Sequence, residues 1–127
     1  MIKKVSFNKI AKENGAKVFN YNTKRFTVKN YPDIEEIEDN TNTAYYHGLC
    51  KEITIGFIKS YNEQVYSFFH ELAHHLDDKK NNHFNKRSRI QTEKRAWKNG
   101  LKLMNKYGVD VEPDFIYFSN KCLETYK

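Results

Sequence analysis

The stretch Ser60-Tyr61-Asn62-Glu63-Gln64-Val65-Tyr66-Ser67-Phe68-Phe69-His70-Glu71-Leu72-Ala73-His74 decides how this chain is organised. Ser60 and Glu63 have the S-x-x-E form of a capping box, in which a hydroxyl and a carboxylate satisfy orphan backbone donors at a helix start. From there Val65, Phe68, Phe69, Leu72, Ala73 and Leu76 recur at three and four residues, the period of a buried helical stripe. The spacing predicts a helix over residues 60–78.

Downstream, a polar break over residues 77–86 precedes a second helix, signalled by Ser88 with Gln91 three residues later and stopped by Gly108. Its apolar stripe reads Ile90, Trp97, Leu101, Met104. Glu93 falls on that face, three after Ile90 and four before Trp97, and an inward carboxylate needs an explanation. A last helix is expected to start with Pro113 at its first position and to pack Phe115, Ile116, Cys122, Leu123 and Tyr126 inward.

Upstream, residues 44–47 and 51–57 are rich in β-branched and aromatic side chains and read as two strands turning at Gly48. Residues 17–29 read as a hairpin with Asn22-Thr23 at its turn, and residues 8–14 as a short helix ended by Gly15. Tyr31-Pro32 halts regular structure, and the acidic run 33–39 reads as a helical turn or an exposed connection. The expectation is an α+β fold, a single domain over residues 1–127 with a small N-terminal β-sheet and three following helices.

A chain of 127 residues with nine Phe and nine Tyr can fill one core. The N-terminal residues lack the apolar core of a signal peptide, and the longest apolar run, Ile53 to Ile58, is too short to span a bilayer. A cytoplasmic protein without membrane association is expected. Cys50 and Cys122 are too few for a disulfide framework and read as core thiols. The net charge of +6 is uneven: residues 33–39 hold five carboxylates and no base, whereas residues 79–102 hold nine bases against Glu93 alone. Such a basic stretch either attracts an anionic partner or is simply solvated.

The pentapeptide His70-Glu71-Leu72-Ala73-His74 carries the chemistry. Helical residues four apart lie about 40° apart around the axis and about 6 Å apart along it, so two imidazoles converge on one ion. Glu71 points to the flank of that pair, where a carboxylate can take a proton from an activated water and pass it to a leaving amine. Leu72 and Ala73 face the core. Zn²⁺ is the expected cofactor.

A catalytic zinc needs a third protein ligand and an open position. Asp77 and Asp78 continue the same straight helix and cannot turn back to the ion. His75 points about 100° away from His74 and reads as a supporting or surface residue. His83 follows too soon without a glycine-mediated turn. Glu93 remains, with a buried salt bridge to Lys94 or Arg95, or a different helical phase, as the alternatives.

Ile53-Thr54-Ile55, the His70–His74 motif and Glu93-Lys94-Arg95-Ala96-Trp97 together resemble the ImmA/IrrE-like zinc peptidases of bacteria and their mobile elements, over about residues 45–107. The resemblance implies a compact zincin-like domain of gluzincin type, with metal ligands His70, His74 and Glu93, catalytic Glu71 and a strand edging the cleft. It also implies a protein or peptide substrate, as relatives cut cytoplasmic regulators such as helix-turn-helix repressors.

The leading expectation is therefore zinc-dependent peptide hydrolysis, with an extended substrate adding to the Ile53–Phe57 strand. Tyr45, Tyr46, His47, Tyr61, His83 and Tyr117 are the candidate oxyanion donors. The rival is a non-catalytic zincin-fold module that contacts a host protein, or nucleic acid through its basic region; nucleic acid is not the expected partner.

Overall fold

The computed structural model describes residues 2–20, 25–26, 37–38, 44–47, 51–55, 60–81 and 89–125. A short helix α1 (Phe7–Glu13) is followed by β1 (Lys17–Asn20), β2 (Arg25–Phe26), β3 (Ile37–Glu38), β4 (Ala44–His47) and β5 (Glu52–Ile55). Three longer helices complete the chain: α2 (Tyr61–Asn81), α3 (Arg89–Lys106) and α4 (Asp114–Glu124). The fold is α+β.

The helix ends follow the capping chemistry. The Ser60 hydroxyl accepts from the Glu63 N–H at 3.4 Å, opening α2. Gly15 (φ 76°) and Gly108 (φ 71°) take the left-handed conformation just past α1 and α3, where a side chain would be strained. Pro113 stands one place earlier than expected, at the N-cap of α4.

The sheet departs from the sequence expectation at three points. β1 pairs in parallel with β5, Val18 opposite Ile53, and β2 pairs with β3; the expected 17–29 hairpin is not formed. Asn22-Thr23 lies outside the described residues. Ile37–Glu38, inside the acidic run read as a helical turn or an exposed connection, is strand; the rest of that run lies outside the described residues. The β4–β5 pair is antiparallel as expected, Ala44 opposite Ile55 and His47 opposite Glu52. The expected turn residue Gly48 lies outside the described residues, while Lys51 takes a positive φ of 54° beside it.

With the order β1-β5-β4, β5 is the central strand. Both its edges are occupied over Glu52–Ile55, so a substrate cannot add to it there as expected; Gly56 and Phe57 lie outside the described residues, and the outer strands of this sheet among those described are β1 and β4.

α2 is the hub, packed on α3 on one side and on β4 and β5 on the other. Val65, Phe68, Phe69 and Leu72 are fully buried, each contributing roughly 2 kcal/mol by leaving water. They share one core with Phe7, Ile10, Ile53, Ile55, Met104 and Phe115. On α4 Phe115 is buried and Cys122 and Leu123 pack against the core as expected, with Ser119 buried beside them, but Ile116 is 67% exposed. Positions 115, 118/119 and 122 form the helical stripe, and 116 lies about 100° off it. Tyr126 lies outside the described residues. No helix of the described residues is long and apolar enough to cross a membrane.

Candidate metal centre

At the α2–α3 crossing the Nε2 atoms of His70 and His74 lie 3.1 Å apart. Glu93 Oε2 comes from α3 to 2.8 Å from His70 Nε2 and 3.1 Å from His74 Nε2. Three donor atoms thus surround one point. Tetrahedral zinc ligands held at 2.0–2.1 Å lie about 3.3 Å from one another, so the separations fit such an ion to within a few tenths of an ångström. Two imidazole nitrogens and one carboxylate oxygen are also the donor types zinc prefers.

Glu71 is the fourth member. Its Oε1 lies 3.9 Å from His70 Nε2, and its ligand atom falls within 4.8 Å of those of His70 and His74. Glu93 approaches both histidines more closely than Glu71 does, as expected if Glu93 ligates and Glu71 stands to one side.

The alternatives for Glu93 are not realised. Lys94 and Arg95 are exposed, and Arg95 Nε pairs with Asp77 Oδ1 at 3.4 Å, a bridge that also engages Asp77. Glu93 itself is buried. Burial alone would raise its carboxyl, but the hydrogen bonds to His70 and His74, with their charge, hold it well below the ordinary carboxylate range. Burial lowers His70. Burial also opposes charge on His74, yet Glu93, Glu71 and Asp77 outweigh it and raise that imidazole.

Glu71 is almost completely enclosed, and burial pushes its carboxyl up to about 7, with His74 drawing it down and Glu93 pushing it up. Its Oε2 is buried without a hydrogen-bond partner among the described residues. So is His70 Nδ1; the His70 ring is held by packing, stacked on Trp97 at 4.0 Å between centroids. Phe115 and Phe118 of α4 press edge-on against Trp97 behind it.

One supporting residue escaped the sequence reading, and another was left open between two roles. Gly100 faces α2 so closely that an added Cβ would lie 3.2 Å from Phe69 O and 3.4 Å from His70 N. The missing side chain lets α3 approach the backbone that carries His70, and so brings Glu93 within reach. The signal was present: Glu93, Trp97, Gly100 and Met104 recur at four, three and four residues, placing a glycine on the buried face where it costs about 1 kcal/mol against alanine.

His75 is the other. Of the supporting and surface roles, the structure gives it the supporting one: it is buried; its Nε2–H donates to the Asn14 carbonyl at 2.7 Å, and its Nδ1 accepts from the Tyr46 hydroxyl at 2.8 Å. A carbonyl can only accept, which fixes this tautomer. His75 therefore clamps α2 to β4 and to the end of α1.

Of the candidate oxyanion donors, Tyr46 is committed to His75, and the Tyr61 hydroxyl accepts from the Val5 N–H at 2.6 Å, at the far end of α2. Tyr117 is 73% exposed on α4. His83 and the side chains of Tyr45 and His47 lie outside the described residues.

Comparison with protein-family models, with curated proteins and with solved structures gives no match. The functional reading rests on the residues and their geometry.

Proposed function

We propose that this chain is a zinc-dependent metallopeptidase in which His70, His74 and Glu93 hold the ion and Glu71 is the general base. The observation that carries the reading is the convergence of His70 Nε2, His74 Nε2 and Glu93 Oε2 within 3.1 Å of one another, with Glu71 alongside. Zinc bound there supplies a Lewis acid that polarises the scissile carbonyl and brings the pKa of a water to about 7.

The chain's own residues do the rest. Glu71, with a carboxyl near 7 and an unpartnered oxygen, is poised to take the proton of the attacking water and deliver it to the departing amine. No side chain forms a covalent bond to substrate in this scheme. Trp97 fixes the His70 ring, and the Gly100 contact fixes the separation of the two ligand-bearing helices. The substrate is an extended segment of a protein, and of the two outer strands β1 and β4 the one placed to pair with it is β4, which packs on α2 and is tied to it by His75, one residue beyond His74. The likeness of His70–His74 and Glu93–Trp97 to the ImmA/IrrE-like zinc peptidases supports the same roles, a zincin-like fold and a cytoplasmic protein as substrate.

Glu71→Gln tests the mechanism. The variant is expected to retain zinc while its turnover of a fluorogenic peptide library falls by about 10²–10⁴-fold. Undiminished turnover would remove Glu71 from the chemistry.

A further inference from the structure

α3 has two faces of opposite character. Glu93, Ala96, Trp97, Gly100 and Met104 are buried, whereas Lys94, Arg95, Lys98, Lys102, Asn105 and Lys106 are exposed. At 100° per residue the exposed set falls in an arc of about 120° on the side away from Glu93, and Lys94 to Lys106 spans about 18 Å. Glu93 is the only acid in the helix, so this face is of one sign. Arg95 pairs with Asp77, but Lys94, Lys98 and Lys102 have no acidic partner among the described residues.

A solvated helix surface does not require this pattern. Lys94/Lys98, Lys98/Lys102 and Lys102/Lys106 are like-charge pairs four apart, each weakening the helix by about 0.2–0.5 kcal/mol where a glutamate would have strengthened it. The composition also narrows what could bind. The face has no aromatic or apolar anchor for a packed protein interface, no stacking platform for single-stranded bases and no apolar residue to enter a lipid surface. What it offers is a rigid row of ammonium groups, which matches a rigid row of phosphates.

We propose that the outward face of α3, centred on Lys94, Lys98 and Lys102, binds the phosphate backbone of double-stranded DNA without reading its sequence. The site lies on the opposite side of the helix from Glu93, so it does not depend on the peptidase reading.

The test is fluorescence anisotropy of a labelled 20-base-pair duplex with the zinc-loaded full chain, from about 50 to 200 mM salt. Four engaged lysines predict log K falling against log salt with a slope of about −3.6. In the triple variant Lys94→Gln, Lys98→Gln, Lys102→Gln the slope is expected to become shallower by about 3, with binding at low salt weakened at least about tenfold. Thermal unfolding and zinc content should stay as in the parent, which separates a lost site from a lost fold. Absence of duplex binding at low salt, or equal binding by the triple variant, overturns the proposal. Tighter binding of a single strand, or of an oligoglutamate peptide of equal charge, would also overturn it by reassigning the face to another anion.

Discussion

α2 carries two polar clusters, one near its start and one at its middle, and they are built on opposite principles. Near the start, Asn62 accepts from the Ile2 N–H at 3.0 Å and donates to Glu112 and Asp114 at 2.7 and 3.3 Å. Tyr66 donates to Asp114 and accepts from the Glu112 N–H. Burial and the bond to Asp114 push the Tyr66 hydroxyl far above its ordinary range, so it remains a donor. No polar side-chain atom of Asn62 or Tyr66 is stranded. Two turns on, His70, Glu71, His74 and Glu93 crowd nitrogen and oxygen atoms around one point and leave Glu71 Oε2 and His70 Nδ1 unpartnered. The first arrangement stabilises the fold by satisfying its groups; the second leaves polar atoms unsatisfied, as the proposed ion site and proton transfer require.

A large effect on stability is expected from breaking the satisfied cluster. Asn62→Ala leaves the buried Ile2 N–H without its acceptor and removes the amide that bridges to Glu112 and Asp114, and should destabilise the protein by about 2–3 kcal/mol in denaturant unfolding, with the zinc stoichiometry of the folded fraction unaltered. A loss below 1 kcal/mol would show that the two clusters do not differ in the way described.

The second prediction concerns pH. The folded Glu71 carboxyl holds its proton up to about pH 7, whereas the unfolded one releases it near 4.5. Between those values the folded state binds the extra proton, so this group's contribution to stability falls as pH rises. In chelator-treated protein, Glu71→Gln should therefore gain about 3 kcal/mol on the parent between pH 4.5 and 8. A stability difference independent of pH would contradict an enclosed, unpaired Glu71.

A smaller effect is expected at the helix crossing. Gly100→Ala gains about 1 kcal/mol of helix propensity but drives a methyl into the backbone of α2. The net expectation is a loss of about 1 kcal/mol with zinc affinity down about tenfold, read by competition with a chelating dye. A more stable variant with unchanged affinity would mean that the crossing is not tight.

What was legible in the chain follows the range of the forces involved. α2, its Ser60 cap and the Gly15 and Gly108 stops are set by residues within a few positions of one another. The convergence of His70, His74 and Glu93 was also readable, because a carboxylate on an apolar helical face has few explanations. Strand partnership was not. Nothing local tells Lys17–Asn20 to pair with a strand over thirty residues on rather than with its neighbour, although the unbroken burial of Glu52, Ile53, Thr54 and Ile55 is the mark of a central strand. Ile116 was misplaced because it is adjacent to Phe115 and only one of the two faces inward, while Cys122 and Leu123 pack on the core as read. His75 was read from its angle to His74 alone, while its partners come from β4 and the end of α1.

The central claim is tested most directly by zinc binding in equilibrium dialysis, comparing the parent with Glu71→Gln and Glu93→Ala. The geometry predicts stoichiometric zinc in the parent and in Glu71→Gln, and a large loss of affinity in Glu93→Ala. A parent that takes up no zinc, or a Glu93→Ala variant that binds it as the parent does, would contradict it.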